Sequence, residues 1–235
     1  MAQFCSAIER YNKKRIYARI EWTASVLILF LQALTLVSLI KNYEGTQFIF
    51  IGMAFIAAYV LTDFINGFTH MFMDNNTHYK SVVGPFIAAF HLHHFKLKYT
   101  ERTWFNIYFY ESGTKFWLLV YLLVFAWTQY YFSLSFSINV CLASIGILSS
   151  VAELSHYWCH NATEKNTIIR RLQNYQILLS KQHHLNHHRS DNTHYAFLNG
   201  LTDPLLNLIS HYLYHGYKNH ADLHVKAYKR SATSN

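Results

Sequence analysis

Histidines dominate the short stretch KQHHLNHHRSDNTH, residues 181–194, which holds five of them in fourteen positions. Four of these fall within six residues, where an even spread of the chain's 16 histidines over 235 residues would place fewer than one. Imidazole binds transition metals and titrates near neutral pH, so both a metal site and a pH-sensing cluster are possible interpretations. A purification tag is excluded because the cluster is internal and is interrupted by Leu185 and Asn186.

Two other histidine groups have spacings that suit metal binding. His156 and His160 lie four residues apart in SHYWCH and so share one helix face, with Glu153 one turn earlier on that face. His93 and His94 form an adjacent pair in FHLHHF. Each of these groups alone is weak evidence, but three groups in one chain favour a shared site.

A pair of carboxylates accompanies one more histidine. Asp63, His70 and Asp74 are separated by seven and eleven residues, which on a helix places all three within about 20° of one line. Gly67 lies near the same line. An acidic residue within an apolar segment is costly, so we expect Asp63 to be functional rather than a simple cap or a partner of a lysine.

The number of histidines favours two metal ions over one. A structural zinc site closes at four ligands, and a catalytic zinc keeps three ligands and a water. Eight or more histidines exceed the needs of one such ion and suit two ions side by side. Oxygen-activating iron is the natural case, since a pair of irons supplies the two electrons that accompany C–H cleavage in an unactivated lipid chain. Nearby carboxylates and amides would orient the imidazoles.

The elements that must position these residues are predicted to be membrane helices. Hydrophobic residues make up 52% of the chain and charged residues 14%, and the apolar residues concentrate at 22–40, 48–68, 116–134 and 136–152. The first stretch has 19 uncharged residues, about the length that crosses a hydrocarbon layer of ~30 Å. The last two stretches predict a helical hairpin that turns near residues 133–137, or else one long bent helix.

The sequence therefore predicts an all-α integral membrane protein with about four transmembrane helices and a cytosolic, histidine-rich helical cap. The histidine motifs lie at residues 63–94 and 153–194, and each of their histidines lies outside the predicted spans. The absence of linkers and repeats indicates a single domain over residues 1–235, with a dispensable tail from about residue 221. We expect His220 and His224, in this tail, to take no part in the site.

Basic residues predict the orientation of the chain, because they favour cytoplasmic loops. With four spans, every Lys and Arg except Lys41 lies on one side, which predicts that both termini and all the histidines are cytoplasmic. The membrane would be a bacterial inner membrane or the endoplasmic reticulum. Anionic lipid headgroups account for the net charge of +8, so no nucleic-acid partner is expected.

Taken together, the motifs resemble the plasmanylethanolamine desaturase and CarF-type lipid desaturase family, to which the plant plastid phosphatidylglycerol desaturases are related. The resemblance covers about residues 59–208. Four segments are similar to family motifs in the same order: DFINGFTHMFMD, FHLHHF, SHYWCH and LQNYQILLSKQHHLNHHRSDNTHYAFLNGLTDPL. It implies a di-iron centre with eight histidine ligands, namely His70, His93, His94, His156, His160, His184, His187 and His188. The roles of His91, His183 and His194 stay open between support of the ligands and ordinary surface positions.

The resemblance also implies an activity. The reduced irons would bind O₂ and remove two hydrogens from adjacent carbons of a phospholipid near its glycerol backbone, and the vinyl ether of plasmalogens is the first expectation. We expect Asp63, Asp74 and Glu153 to be the catalytic carboxylates. Electrons would come from a cytochrome b5-like protein or a ferredoxin, because the chain has no haem, flavin or dinucleotide motif.

Several alternatives remain open at this stage. A phospholipid acyl-chain desaturase and a membrane lipid hydroxylase would use similar ligands. A metal transporter is a non-catalytic alternative, but we would expect it to carry ligands inside several spans. A pH-sensing membrane protein would not require the His-x-x-His-His spacing. Neither the geometry of the product's double bond nor the oligomeric state follows from the sequence.

Overall fold

The computed structural model describes residues 2–43, 45–94, 103–110, 115–161, 166–190 and 193–214, and all regular elements in these ranges are helical. The helices are α1 Ala2–Lys13, α2 Arg15–Lys41, α3 Phe48–Asn75, α4 Gly84–His91, α5 Trp104–Tyr110, α6 Phe116–Tyr131, α7 Phe136–His160, α8 Thr167–Asn174, α9 Lys181–Arg189 and α10 Asp203–Leu213. A short 3₁₀ turn, Leu92–His94, follows α4. The predicted all-α class is confirmed.

Three of these helices, α2, α3 and α7, are long and apolar enough to cross a membrane, with 27, 28 and 25 residues. The apolar stretch predicted at residues 116–134 forms α6, whose 16 residues span about 24 Å. The long helices do not end where the apolar runs end. Helix α2 begins before residue 22, α3 continues past residue 68 and α7 past residue 152, because inward-facing polar residues prolong each helix.

The predicted hairpin is present, and the alternative of one bent helix is wrong. Helix α6 ends at Tyr131, and Ser135 caps α7 by accepting a hydrogen bond from the Ile138 backbone N–H at 3.4 Å. The two helices then pack side by side, where Tyr121 Oη donates to the Leu142 carbonyl at 2.7 Å.

The four apolar helices place the histidines at one end of a bundle. Asn66 Nδ2 of α3 donates to Ser149 Oγ of α7 at 3.1 Å, and the His70 and His156 rings lie 5.9 Å apart, so these helices run in parallel. Helix α6 returns antiparallel to α7. Gln32 Nε2 on α2 donates to the Gly146 carbonyl, in the part of α7 that precedes the histidines. Ser25, nearer the start of α2, donates its Oγ–H to the Tyr108 carbonyl of α5. The ends of α3 and α7 therefore meet the beginnings of α2 and α6.

Candidate metal centre

The first group of candidate ligands combines α7, α9 and the 3₁₀ turn. His93, His156, His160 and His184 each place one ring nitrogen within 4.8 Å of the others, and all four residues are buried. The Nε2 atoms of His156, His160 and His184 form a triangle with edges of 3.0, 2.8 and 3.1 Å. The i, i+4 spacing on α7 supplies two of these corners.

Hydrogen bonds alone do not account for this triangle. A ring nitrogen carries either one proton or one lone pair, so it forms only one good hydrogen bond, and three such atoms cannot pair along all three edges. A first-row metal binds imidazole nitrogen at about 2.0–2.1 Å, so two ligands about 90° apart on one ion lie about 3 Å from each other. The observed spacing of the nitrogens therefore matches the spacing of ligands around one cation.

The second group lies between α3 and α9. His70, Asp74 and His187 have fully buried side chains, and Asp74 Oδ2 lies 3.3 Å from the Nε2 atoms of both histidines. Asp74 follows His70 by four residues, which puts both on the inward face of α3.

Backbone carbonyls fix the tautomers of three candidate ligands. The Nδ1–H groups of His70 and His187 donate to the carbonyls of Tyr195 and Thr193 at 2.8 Å each, and His93 donates likewise to Phe90. A carbonyl oxygen only accepts hydrogen bonds, so Nδ1 carries the proton and Nε2 of the neutral ring carries the lone pair. In the second group two such lone pairs face a carboxylate oxygen, an arrangement that fits a bound cation.

The two groups lie side by side. The His70 and His156 rings are 5.9 Å apart between centroids, and the His184 and His187 rings are 5.5 Å apart. Phe197, which is buried, stacks on His156 at 4.1 Å and contacts His70 at 4.3 Å. An apolar ring thus covers the boundary between the groups, and the donors present suit two neighbouring ions.

Burial and charge keep the first group ready for metal binding. Burial lowers the pKa of His184 well below its ordinary value, and repulsion from the neighbouring imidazoles lowers that pKa further. The neutral ring, which the metal requires, is therefore the stable form at neutral pH.

Asp63 lies on the predicted stripe of α3, but its carboxylate accepts hydrogen bonds from the loop between α9 and α10. One carboxylate oxygen accepts hydrogen bonds from the backbone N–H groups of residues 198, 199 and 200 at 2.9–3.2 Å. The other accepts from the N–H and Oγ1 of Thr202 at 2.9 and 2.8 Å. This loop follows Phe197, so the carboxylate anchors the segment that covers the histidines.

The same loop approaches α3 closely at Gly67. A Cβ at this position would overlap Leu206 Cδ1 and lie 3.0 Å from the Cα of Ala196. The missing side chain lets the 195–197 backbone reach α3, where the Tyr195 carbonyl holds His70.

The remaining predicted ligands lie at the edge of the first group or outside the described side chains. His188 Nε2 lies 2.9 Å from His184 Nε2, and the ring is only partly buried. The side chain of His94, and the whole of His220 and His224, lie outside the described residues. Glu153 is buried one turn before His156 on α7.

The three histidines left open by the sequence have other partners. His91 Nε2–H donates to the Met73 carbonyl at 2.9 Å, and its Nδ1 lies 2.8 Å from Tyr79 Oη, so this ring joins two backbone segments. His183 pairs with the Asp203 carboxylate, and its ring lies 4.6 Å from that of His194.

Sequence reasoning missed three residues that shape the centre, namely Tyr195, Phe197 and Asp203. Asp203 Oδ1 accepts from the Ala196 N–H at 2.9 Å while its other oxygen pairs with His183, so it ties this segment to α9. Tyr195 and Phe197 lie in an irregular segment without periodicity, and Asp203 is the first residue of α10. Two signals were available: these residues lie within the fourth family-like motif, and the Thr-Asp-Pro at the start of α10 places an acid where it marks an ordered turn.

Comparison with known proteins identifies one family. The profile of the lipid desaturase domain matches residues 59–215, which is more than half of the chain and includes every candidate ligand. No curated protein and no solved structure matches the chain.

Proposed function

The chain belongs to the lipid desaturase family, and we propose that it is a di-iron desaturase that forms the vinyl ether of plasmalogens. The net reaction converts a –CH₂–CH₂– unit beside the ether oxygen, with O₂, two electrons and two protons, into –CH=CH– and two molecules of water. The proposal is carried by one observation: two adjacent buried sets of lone-pair donors lie at one end of a bundle of apolar helices.

The ligand sets divide between the two groups. His93, His156, His160 and His184, with His188 at the edge, would hold one iron, and His70, Asp74 and His187 the other; His94 is the remaining candidate ligand. Bound iron would supply the activation of O₂ and the oxidising power for C–H cleavage. The backbone carbonyls and Phe197 hold the ligands in place and exclude water from the buried centre.

We assign a different role to each of the three predicted carboxylates. Asp74 would bind metal, because its oxygen lies between two ring nitrogens. Asp63 would act as a positioning residue, since both of its oxygens hold the 198–202 loop. Glu153 would lie beside the first group and handle protons.

The position of the histidines at one end of the bundle indicates where the centre would lie in the membrane. The histidine end would face the cytoplasm close to the lipid headgroups, where the glycerol backbone of a phospholipid also lies. Electrons would come from a cytochrome b5-like protein or a ferredoxin on that side.

A cell that makes ether lipids but lacks plasmalogens provides the test. We expect expression of the chain to produce acid-labile vinyl ether lipids, detected by mass spectrometry, with the His187→Ala variant as the inactive control. The purified protein should contain iron in both groups. A zinc-only protein at one ion per chain would contradict the di-iron proposal.

The lipid products also separate the alternatives. A loss of two hydrogens within an acyl chain would identify an acyl-chain desaturase, and a gain of one oxygen would identify a hydroxylase. If no lipid changes while the protein is folded and loaded with iron, the proposed function is wrong.

A further inference from the structure

One peptide group lies between a side chain of α10 and a candidate metal ligand. This peptide joins Thr193 to His194, and its N–H donates to Asn207 Oδ1 at 2.9 Å. The carbonyl of the same peptide accepts a hydrogen bond from His187 Nδ1–H at 2.8 Å. The N–H and C=O of a trans peptide point in opposite directions, so the two bonds hold the group from both sides. Asn207, the peptide and His187 therefore form one hydrogen-bonded chain that ends at the second group.

The chemistry of the atoms fixes the direction of this chain. A backbone N–H only donates, so the Asn207 atom that it contacts is the amide oxygen. His187 donates through Nδ1 because a carbonyl oxygen only accepts, and its Nε2 lies 3.3 Å from Asp74 Oδ2. Successive hydrogen bonds polarise one another, so an acceptor on the N–H makes the carbonyl a better acceptor for His187. Asn207 can therefore act on the imidazole without contacting it.

The backbone of His194 lets the same segment reach a second ligand. Its φ is 61°, in the left-handed region that is disfavoured for residues with a Cβ and most of all for β-branched ones. Directly after this residue, the Tyr195 carbonyl accepts from His70 Nδ1–H at 2.8 Å. His70 lies on α3 and His187 on α9, and their rings are 4.4 Å apart between centroids. Residues 193–195 thus hold two ligands of the second group that come from different helices.

Three contacts hold this segment in place. Asn207 accepts from the His194 N–H, and the His194 ring lies 4.6 Å from the ring of His183. Asp203 Oδ1 accepts from the Ala196 N–H at 2.9 Å. Asp203 and Asn207 are four residues apart, so one face of α10 presents both acceptors to the segment. Of the three, the Asn207 contact is made to the peptide that also holds a ligand.

We propose that Asn207 is a positioning residue for the second metal group and acts on His187 through the 193–194 peptide. Asn207 fixes the peptide, and the peptide fixes both the orientation and the tautomer of the ring. The Nε2 lone pair of His187 then points to the ion that it would share with Asp74 and His70. Supporting partners of metal ligands typically change the affinity of a site by about 10–100-fold. This role rests on the proposed function, because it requires an ion in the second group.

The test is a titration of the metal-free, full-length protein with Co²⁺ in detergent, followed by visible absorption. Leucine has nearly the size of asparagine but no acceptor, so we expect Asn207→Leu to bind Co²⁺ about 10–100-fold more weakly in the second group. Binding in the first group should match wild type. Asn207→Asp keeps an acceptor oxygen and should restore most of the lost affinity. His187→Ala identifies the signal of the second group, and Leu208→Ala, exposed on the same helix, is the matched control.

Two substitutions at His194 isolate the contribution of the backbone. His194→Gly and His194→Val both remove the imidazole, but glycine adopts a φ of 61° without steric cost and valine does not. We expect the second group of His194→Val to bind Co²⁺ about tenfold more weakly than that of His194→Gly. This comparison also tests the 193–195 segment if Asn207→Leu fails to fold, since Asn207 stays in place in both proteins.

The outcomes separate this role from the proposed function. Wild-type binding in both groups of Asn207→Leu would overturn the role, and an equal loss in both groups would show that Asn207 only stabilises the fold. Equal binding by His194→Gly and His194→Val would overturn the backbone's part in it. If wild type binds two ions but desaturates no lipid, the proposed function fails, while a selective loss in Asn207→Leu still supports the positioning role. If the second group of wild type binds no ion, both proposals fail.

Discussion

At the scale of single residues, the groups that contact the ring nitrogens distinguish the roles of His70, His187 and His91. His70 and His187 donate Nδ1–H to backbone carbonyls, which directs their Nε2 lone pairs toward Asp74. In His91 both ring nitrogens contact protein groups outside the two candidate groups. The same residue type thus serves as a candidate ligand in one place and as a structural link in another.

Removing one ligand from each group should show whether two ions are bound. We expect His187→Ala and His160→Ala each to contain about one ion per chain fewer than wild type, because each change opens a different group. Metal analysis of the purified variants measures this loss. His211→Ala, at an exposed position on α10, is the control and should keep the full content. Equal metal content in all four proteins would contradict the assignment of ligands.

Asp63 gives a second test at the residue scale. Asp63→Ala leaves buried backbone N–H groups of the 198–202 loop without an acceptor, so we expect the free energy of unfolding to fall by roughly 2–5 kcal/mol. Asp63→Asn keeps one oxygen and should lose less. Denaturation in detergent micelles, followed by circular dichroism, measures both variants. Unchanged stability of Asp63→Ala would show that the carboxylate does not hold the loop.

At the scale of elements, α3 sets how closely residues 195–197, the segment that covers the histidines, approach the bundle. Gly67→Ala would push residues 196 and 206 away from α3, so we expect a loss of about 1–3 kcal/mol in stability and weaker metal binding by His70. Unfolding and metal content measure the two effects. Gly52→Ala is a matched control on the same helix, where a Cβ meets nothing within 4 Å, and it should cost no stability. Equal stability and equal metal content of Gly67→Ala and Gly52→Ala would contradict this role of Gly67.

The elements that the sequence could predict are those in which apolar or inward-facing residues recur at a regular spacing. Four apolar stretches predicted four helices, and the spacing of Asp63, His70 and Asp74 predicted one inward-facing stripe, because an α-helix repeats every 3.6 residues. The segment from Thr193 to Asp203 has no such repeat. The Tyr195 carbonyl contacts His70, and the Phe197 ring stacks on His156. Both contacts depend on tertiary packing between residues that are far apart in sequence, so they were not predicted.

At the scale of the whole molecule, the order of the helices limits how the chain can cross a membrane. The parallel α3 and α7 both end at the candidate ligands, so the chain must return between them, and α6 is the helix that does so. Tyr43, beyond α2, and Phe136, at the start of α7, have rings 5.2 Å apart, which places both turns at the end of the bundle opposite the histidines. A 16-residue helix is short for a full crossing, but the aromatic residues at its ends, such as Trp117 and Tyr130, can lie in the headgroup region.

Accessibility of single cysteines should decide the topology. In a chain with Cys5→Ala and Cys141→Ala, we expect Val82→Cys, at a position 92% exposed, to react with an impermeant maleimide from the cytoplasmic side. Tyr43→Cys and Ser133→Cys should react only from the opposite side, because α3 and α6 each separate them from the histidine end. Labelling of inside-out and right-side-out vesicles measures the difference. Reaction of Ser133→Cys from the cytoplasmic side would mean that α6 does not cross, and a reversal at all three positions would mean that the basic residues do not set the orientation.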